Sequence, residues 1–287
     1  MEIKKAVIPA AGMGIRFLPV TKSQPKEMLP IVDKPVIHFV VEELVKSGIN
    51  DIIIITGRGK RAIEDYFDFT PELENYLKNS GQSDLLKSVE EILSKASIHF
   101  IRQKEPKGLG DAILCAEKHI GNYPFVVALG DDIIVSEEPA AKQVIESFNK
   151  YNLPVIGVQE IPNEFLSSYG LIDADKISEN TFSVKNLVEK PKENEAPSNM
   201  AAIGRYVLTP EIFNCLKQTQ PGHKNEIQLT DALKLLLKEQ KINAHKIVGK
   251  RYDVGSKLGY LKATIELALQ RDDLKEDIKE YLKNLLS

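Results

Sequence analysis

Val7-Ile8-Pro9-Ala10-Ala11-Gly12-Met13-Gly14-Ile15-Arg16 joins a short apolar run to a loop of small residues that ends in a cation, and Pro25-Lys26-Glu27 follows. A strand over Ile3 to Pro9 that empties into such a loop is the opening move of an α/β fold. Gly12 and Gly14 lack a Cβ, so the backbone there can turn sharply and lay its N–H groups against a ligand. Bare N–H groups backed by Arg16 and Lys26 suit a polyphosphate, whose charge needs both donors and cations. Gly-x-Gly alone also fits an ordinary strand-to-helix turn. Arg16 and the Pro-Lys-Glu element favour the phosphate reading.

Two familiar phosphate loops are excluded. A dinucleotide fingerprint needs Gly or Ala at the third glycine position and an acid closing the next strand. Here that position is Phe17, and the run Asp51 to Ile55 ends in Thr56-Gly57. A P-loop needs Gly-Lys-Ser/Thr opening a helix. Gly255-Ser256-Lys257 has the wrong order.

Composition narrows the function further. With 287 residues, 43% of them hydrophobic, the chain can bury a large core. Lys and Arg number 38 against 41 Asp and Glu, for a formal charge of −3. That balance and the lack of a basic tract argue against a nucleic-acid or membrane partner. Any bound anion must be met by local cations. Met1-Glu2-Ile3-Lys4-Lys5 enters a strand at once, with no secretory pattern. No apolar run approaches the ~20 residues that cross a bilayer. Cys115 and Cys215 read as buried thiols of a reducing cytoplasm, and a cytoplasmic location is expected.

Strands and helices alternate along the first half. Ile52-Ile53-Ile54-Ile55 and Phe125-Val126-Val127-Ala128-Leu129 are continuous apolar runs, as in parallel strands covered on both faces. Other strands are expected over Ile98 to Arg102 and Pro154 to Glu160. Helices are expected from Pro35 to Gly48, over Leu109 to Ile120 and over Pro139 to Tyr151. A polar helical segment, Asn75 to Ser97, inserts between the second and third strands. Beyond about residue 160, strands over Tyr169 to Ile172, Phe182 to Glu189 and Ala201 to Leu208 sit among Pro-, Asn- and Glu-rich turns. Helices Pro210 to Lys217 and Gln228 to Glu239, a strand Ala244 to Val248 and a helical end Lys257 to Leu286 complete the pattern.

The expected fold class is α/β: a Rossmann-like, doubly wound, mixed but mainly parallel sheet with helices on both faces, and a smaller antiparallel portion. Residues 1–271 form a single catalytic domain, with 1–160 mainly nucleotide-binding and 161–271 mainly sugar-phosphate-binding. Residues 272–287 form an amphipathic helix, with Leu274, Ile278, Leu282 and Leu285 on one face. That face either docks on its own subunit or makes a dimer contact.

Ligands of open α/β sheets bind beyond the carboxyl ends of the strands. Three such ends carry suitable groups: the Gly12–Arg16 loop, Gln103 after Arg102, and Asp131-Asp132 after Leu129-Gly130. An aspartate placed there suits Mg²⁺, which takes few carboxylates alongside phosphate oxygens and water. A turn with a helix cap is the plainer reading of the pair. Neighbours on an extended chain face opposite ways, so one of the two is expected to reach a metal, and Asp131 lies nearer the strand end.

These residues fall into a wider pattern. The runs Ala10-Ala11-Gly12-x-Gly14-x-Arg16-x-Leu18-Pro19 and Pro25-Lys26-Glu27-Met28-Leu29-Pro30 open it. Gly108-Leu109-Gly110, Gly130-Asp131, Tyr169-Gly170-Leu171-Ile172 and Val188-Glu189-Lys190-Pro191 continue it. Gly204-Arg205-Tyr206, Glu226-Ile227-Gln228-Leu229-Thr230-Asp231 and Tyr252-Asp253-Val254-Gly255-Ser256-Lys257 close it. In order and content the set resembles the bacterial-type UTP–glucose-1-phosphate uridylyltransferases, from residue 5 to about 270. The resemblance implies that UTP and glucose 1-phosphate give UDP-glucose and pyrophosphate with Mg²⁺, in a homodimer or homotetramer. It implies catalytic roles for Arg16, Lys26, Asp131 and Lys190. Ala10, Ala11, Gly12, Gly14, Glu27, Gln103 and Gly108 would contact the nucleotide. Gly170, Glu189, Lys190 and Gly204 would contact the sugar phosphate, and Asp131 and Asp253 would hold the metal.

The chemistry suits such residues. Two unit charges 4 Å apart repel by about 4 kcal/mol at an effective dielectric of 20, so two polyanions meet only among cations. Positioning and charge neutralisation suffice, with no protein nucleophile. Gln103 carries a donor and an acceptor, matching a uracil edge. Glu189 and Lys190 are adjacent yet must serve one substrate, which demands a bend before Pro191, while proline favours an extended Lys190. The family usually carries threonine where this chain has Ile15, which removes a hydroxyl from the phosphate loop. His38, His99, His119, His223 and His245 are scattered in sequence and are given no catalytic role. A relative using dTTP, or a non-catalytic sugar-nucleotide sensor, are the rival readings; the sensor would be expected to lack one of Arg16, Lys26, Asp131 or Lys190.

Overall fold

The computed structural model describes residues 2–222 and 225–286; His223 lies outside them. β1 (Lys5–Pro9) leads through the glycine loop and a small hairpin, β2 (Pro30–Ile31) and β3 (Lys34–Pro35), into α1 (Val36–Lys46). β4 (Asp51–Thr56) is followed by α2 (Arg61–Phe67), α3 (Pro71–Asn79), α4 (Ser83–Leu93) and β5 (Ser97–Arg102). Next come α5 (Leu109–Leu114), α6 (Glu117–Ile120), β6 (Phe125–Ala128), β7 (Asp132–Val135), α7 (Ala140–Tyr151) and β8 (Val155–Glu160). β9 (Gly170–Lys176), β10 (Thr181–Glu189), β11 (Met200–Leu208), α8 (Glu211–Gln218) and α9 (Leu229–Glu239) follow. β12 (Asn243–Lys246), β13 (Lys250–Asp253), α10 (Lys257–Ala268) and α11 (Lys275–Leu286) end the chain.

One nine-stranded sheet runs in the order β5-β4-β1-β6-β11-β8-β12-β10-β9. Alternation along β4 explains the isoleucine run. Ile52 and Ile54 point into a core shared with α1, α2 and α7, whereas Ile53 and Ile55 point into a second core shared with α5, α8 and α9. All four are fully buried. Helices therefore cover both faces.

The sheet is mixed rather than mainly parallel. β5, β4, β1 and β6 pair in parallel, and so do β8 and β12, but β11 runs against β6, β8 and β9, and β10 against β12 and β9. The cause is connection length. β9 and β10 are joined by a short turn, which only an antiparallel pair permits, whereas parallel pairs need a crossover such as α1. The antiparallel strands also continue the one sheet instead of standing beside it.

Several boundaries differ from the pattern reading. The helix expected over Leu109 to Ile120 is two helices, α5 and α6, and the helical end is likewise divided into α10 and α11. Between the latter two, Arg271 pairs with Asp273 and with Asp33. No residue of α11 is buried, so its apolar face is not docked deeply on its own subunit. Cys215 is buried as expected; Cys115 is half-buried. No helix among the described residues is long and apolar enough to cross a membrane.

Candidate active site

Residues at and just beyond the carboxyl ends of β1, β5 and β6 line a cleft of about 560 Å³. The glycine loop forms one wall. Gly14 adopts a left-handed φ of 67°, and a Cβ there would meet Thr21 Cγ2 at 3.0 Å and Lys26 Cβ at 3.3 Å. Glycine is thus required by close approach as well as by conformation. The Thr21 hydroxyl donates to the Gly14 carbonyl at 2.8 Å and pins the turn. Ala11, Gly12, Gly14 and the exposed Arg16 line the cleft. Ala10 does not: it is buried, and its N–H is spent on the Ile55 carbonyl at 2.9 Å, extending the β1–β4 ladder. Ala10, expected to contact the nucleotide, is thus placed behind the cleft wall, with Ala11 and Gly12 in front of it.

A second wall carries Gln103, Gly108 and Glu27. Gln103 is buried, and its amide nitrogen donates to Asp111 Oδ2 at 2.6 Å and to the Gly108 carbonyl at 3.2 Å. Both of its donors are therefore engaged within the chain. What remains for a ligand is the carbonyl oxygen, an acceptor, rather than the donor–acceptor pair expected from the side chain alone. Gly108 has φ 102°, and a Cβ there would strike Glu226 Cβ at 2.7 Å and the Ile227 carbonyl at 2.9 Å. The loop is strapped to Ile227, whose N–H donates to the Lys107 carbonyl. Glu27 is 1% exposed and accepts from Lys60 Nζ at 2.6 Å through Oε2. Its Oε1 has no hydrogen-bond partner, and burial pushes the carboxyl's pKa up more than Lys60 and Lys26 hold it down. Lys60, part of this buried pair, escaped sequence reasoning because an isolated lysine before a helix looks like a solvated one.

The floor holds the acidic centre. Lys26 Nζ donates to Asp131 Oδ2 at 2.5 Å. Burial works against both charges, yet each outweighs it for the other: Lys26 stays above the ordinary lysine range and Asp131 below the ordinary carboxylate range. The expectation of opposite facing assumes an extended chain, and the chain is not extended here. Asp131 lies in the turn between β6 and β7, and Asp132, the first residue of β7, takes a different partner, Arg251, at 2.7 Å. Burial, together with Asp131 and Asp253, lifts the Asp132 carboxyl to about 6 against the pull of Arg251. Instead of capping a helix, Asp132 opens β7, paired with Asp253 on β13. Asp253 accepts from the Tyr169 hydroxyl at 2.6 Å and from the Gly255 N–H at 3.0 Å.

Residues present at this floor fit a hard divalent cation. A Cβ on Gly255 would meet Asp131 Oδ2 and Asp253 Oδ1, each at 3.0 Å, so two carboxylates converge on a space that only a glycine leaves open. The Lys26 ammonium already sits against one of them, in the place of a counter-ion. An all-oxygen donor set of few carboxylates is what Mg²⁺ takes.

Behind the floor lies a buried scaffold. Arg205 is fully buried and makes a bidentate pair with Glu43, at 2.8 and 2.9 Å. Its remaining donors reach the carbonyls of Asp132, Gly204 and Leu129, so it ties α1 and β11 to the loop that presents Asp131. Gly204 belongs to this scaffold and not to the cleft wall. At φ 69°, its absent Cβ would meet Asp132 Oδ2 at 2.6 Å and Leu129 at 3.0 Å. Asp132 and Leu129 fill the space on that side of Gly204, the residue expected to lie against the sugar phosphate.

On the opposite side stand Tyr169, Gly170, Glu189 and Lys190. Lys190 adopts φ 43°, a left-handed conformation rather than the extended one expected before proline. That bend resolves the conflict between neighbours: Lys190 Nζ returns to Glu189 Oε1 at 3.0 Å, and its N–H meets the Tyr169 carbonyl. Glu189 Oε2 accepts from the Thr230 hydroxyl at 2.6 Å. Gly170 faces both, with Thr230 Oγ1 at 3.0 Å and Glu189 Oε2 at 3.2 Å from its missing Cβ. Thr230, Tyr169 and Arg251, whose guanidinium lies 4.8 Å from the Tyr169 ring centre, were not singled out as site residues by sequence reasoning. Tyr169 and Thr230 lie within runs quoted for the family resemblance, whereas Arg251 lies just outside them.

The nucleotidyl transferase family model matches residues 5–270. The UTP–glucose-1-phosphate uridylyltransferase of Bacillus subtilis is 51% identical over 286 residues, covering 100% of this chain and 98% of its own. That of Staphylococcus epidermidis is 53% identical over 284 residues, 99% of each chain. A crystal structure of a UDP-glucose pyrophosphorylase complexed with UDP-glucose is 46% identical, covers 94% of this chain and 100% of its own, and superposes with a TM-score of 0.86. With the family model spanning residues 5–270 and these relatives alike along their whole length, the chain belongs to the nucleotidyl transferase family, as an enzyme of the bacterial UTP–glucose-1-phosphate uridylyltransferase type.

Proposed function

We propose that the enzyme transfers uridylyl from UTP to glucose 1-phosphate, releasing pyrophosphate and forming UDP-glucose, with Mg²⁺ held by Asp131 and Asp253. Bound there, Mg²⁺ would neutralise charge on the triphosphate and favour attack at its α-phosphorus. The acceptor is the sugar phosphate itself, already ionised near neutral pH, so no general base is required. Its oxygen attacks the α-phosphorus in line, and the bond to the bridging oxygen of pyrophosphate breaks.

Each nearby side chain has a task in that geometry. Backbone groups of Ala11, Gly12 and Gly14 cradle phosphate, and Arg16 covers the two departing phosphoryl groups. Lys26 exchanges Asp131 for a phosphate oxygen. Gln103 offers its free carbonyl to the N3–H of uracil, beside Gly108, with Glu27 and its unpartnered oxygen below. Glu189, steadied by Thr230, accepts from sugar hydroxyls against Gly170, while Lys190 turns from Glu189 to the sugar phosphate. Positioning of this kind supplies most of the rate.

The observation that carries the reading is the Lys26–Asp131 pair, an exchangeable cation at the floor of a cleft walled by the glycine loop and Arg16. Relatives bearing the uridylyltransferase name, and one solved with UDP-glucose, support the choice of substrates. We place the reaction in the cytoplasm, in a homodimer or homotetramer that α11, with no buried residue, would help to hold. Pyrophosphate release from UTP, dTTP, CTP, ATP and GTP with glucose 1-phosphate tests the assignment. Release dominated by UTP and stopped by EDTA is expected. Preference for dTTP would overturn the base-reading roles, and no release with any nucleotide would overturn the reaction.

A further inference from the structure

We propose that Asp51, His99 and His119 form a binding site for a first-row divalent metal ion of the zinc type, at the amino ends of the strands and away from the cleft. Asp51 opens β4, His99 is the third residue of the neighbouring β5, and His119 lies in α6. Their separation in sequence hides them from any motif search. The fold brings one ligand atom of each within 4.8 Å of the other two. His99 Nε2 stands 3.6 Å and His119 Nε2 3.7 Å from the same oxygen, Asp51 Oδ1. The imidazole centres are 4.7 Å apart, with the rings tilted by 49°.

Two features argue that these atoms await a metal rather than one another. The separations are too long for hydrogen bonds, and Asp51 Oδ1 is buried with no hydrogen-bond partner. The neighbouring cation does not serve it. Lys5 Nζ lies 3.5 Å from the other oxygen, Oδ2, and donates to the His119 carbonyl at 2.6 Å. Lys5 thus steers the carboxylate and anchors the histidine while leaving Oδ1 open. Metal–nitrogen and metal–oxygen bonds of about 2.0–2.2 Å in a tetrahedron place donors about 3.4 Å apart. The two Asp51–imidazole separations are already within a few tenths of an ångström of that value, and side-chain rotation of the two imidazoles within their 4.8 Å bound would bring the set together. Two imidazoles and one carboxylate select zinc, cobalt or nickel over magnesium and calcium, which take oxygens. β1 separates this end from the cleft: Lys5 stands at one end of the strand and Pro9 at the other, roughly 13 Å apart at 3.3 Å per residue. A metal there would clamp β4, β5 and α6, and would stabilise the folded chain by binding it alone.

The test uses the full-length protein, stripped with EDTA and then titrated with Co²⁺ in excess Mg²⁺, followed by visible absorption and by competition with Zn²⁺. A single tight Co²⁺ with tetrahedral absorption is expected, along with a rise in melting temperature on adding Zn²⁺. His99→Gln or His119→Gln should weaken binding at least about tenfold, the lower bound seen when only a ligand's hydrogen-bond partner is lost. The double variant should lose both the absorption and the thermal shift. Both side chains are partly exposed, at 44% and 33%, so these variants should fold, and far-ultraviolet circular dichroism checks that they do. Asp131→Ala should retain the signal. Unchanged binding in the double variant, no saturable binding in the parent, or loss of the signal in Asp131→Ala would each overturn the site. None of these readouts depends on the nucleotide reaction.

Discussion

Two ion pairs lie near the carboxyl edge of this sheet and differ in what surrounds them. Arg205–Glu43 is sealed: bidentate, fully buried, with its spare donors spent on three carbonyls and Glu43 accepting from the Ala141 N–H as well. Lys26–Asp131 is open: one contact, on the floor of the cleft, with both side chains about a quarter exposed. A sealed pair cannot trade partners, because removing either charge strands the other in a medium that cannot solvate it. An open pair can trade the ammonium for a metal and the carboxylate for a phosphate. The same chemistry therefore builds in one place and binds in the other, and accessibility decides which.

Asp131→Ala separates the two most sharply. It should lower kcat by at least about a thousandfold, or about 4 kcal/mol, while leaving the urea midpoint of unfolding nearly unchanged. Near-parental turnover in Mg²⁺ would move Asp131 out of the open class. Arg205→Met should do the reverse, costing about 3–4 kcal/mol of stability by stranding Glu43. A paired Arg205→Met/Glu43→Leu variant should recover part of that loss, and chemical denaturation reads both. Gly204→Ala probes the seam between the two pairs. A Cβ driven to 2.6 Å from Asp132 Oδ2 in a left-handed backbone should cost about 2 kcal/mol, without a selective rise in KM for either substrate. The smallest change is Ile15→Thr on the open side. One added hydroxyl near phosphate is worth about 1 kcal/mol, so KM for UTP should fall by about fivefold at most, and stability should not move.

That contrast also explains what could be read in advance. The open wall is local in sequence: a strand, two glycines, an arginine and a lysine within one stretch, whose chemistry shows in their types. That Asp131 and Asp132 take different partners, Lys26 and Arg251, agrees with the sequence reading, although the reason assumed there, an extended chain, does not hold, because Asp131 sits in the turn before β7. The sealed scaffold is not local. Arg205 meets Glu43 from the far side of the chain, and β7 finds β13 across more than a hundred positions, Asp132 opposite Asp253. Nothing in the type of either residue announces such a partner. Lys190 shows a different limit, since a preference before proline pointed to extended backbone and the contact with Glu189 overrode it. The amide of Gln103 shows a third, because its donors had been taken by Asp111 and Gly108.

β11 reaches both sides of the cleft. Near its start Ala201 pairs with Leu171, the residue after Gly170, and further along Arg205 pairs with Ala128, three residues before Asp131. The backbone between those two points is not plain extended strand: Gly204 is left-handed at φ 69°, and the register against β8 shifts between Ala202 and Tyr206. A bulge of this kind bends a strand and sharpens its twist. The same irregularity that makes room for Arg205 and Asp132 therefore sets the angle at which the Gly170 side of the molecule meets the Asp131 side, a hinge pin cast into one piece of chain.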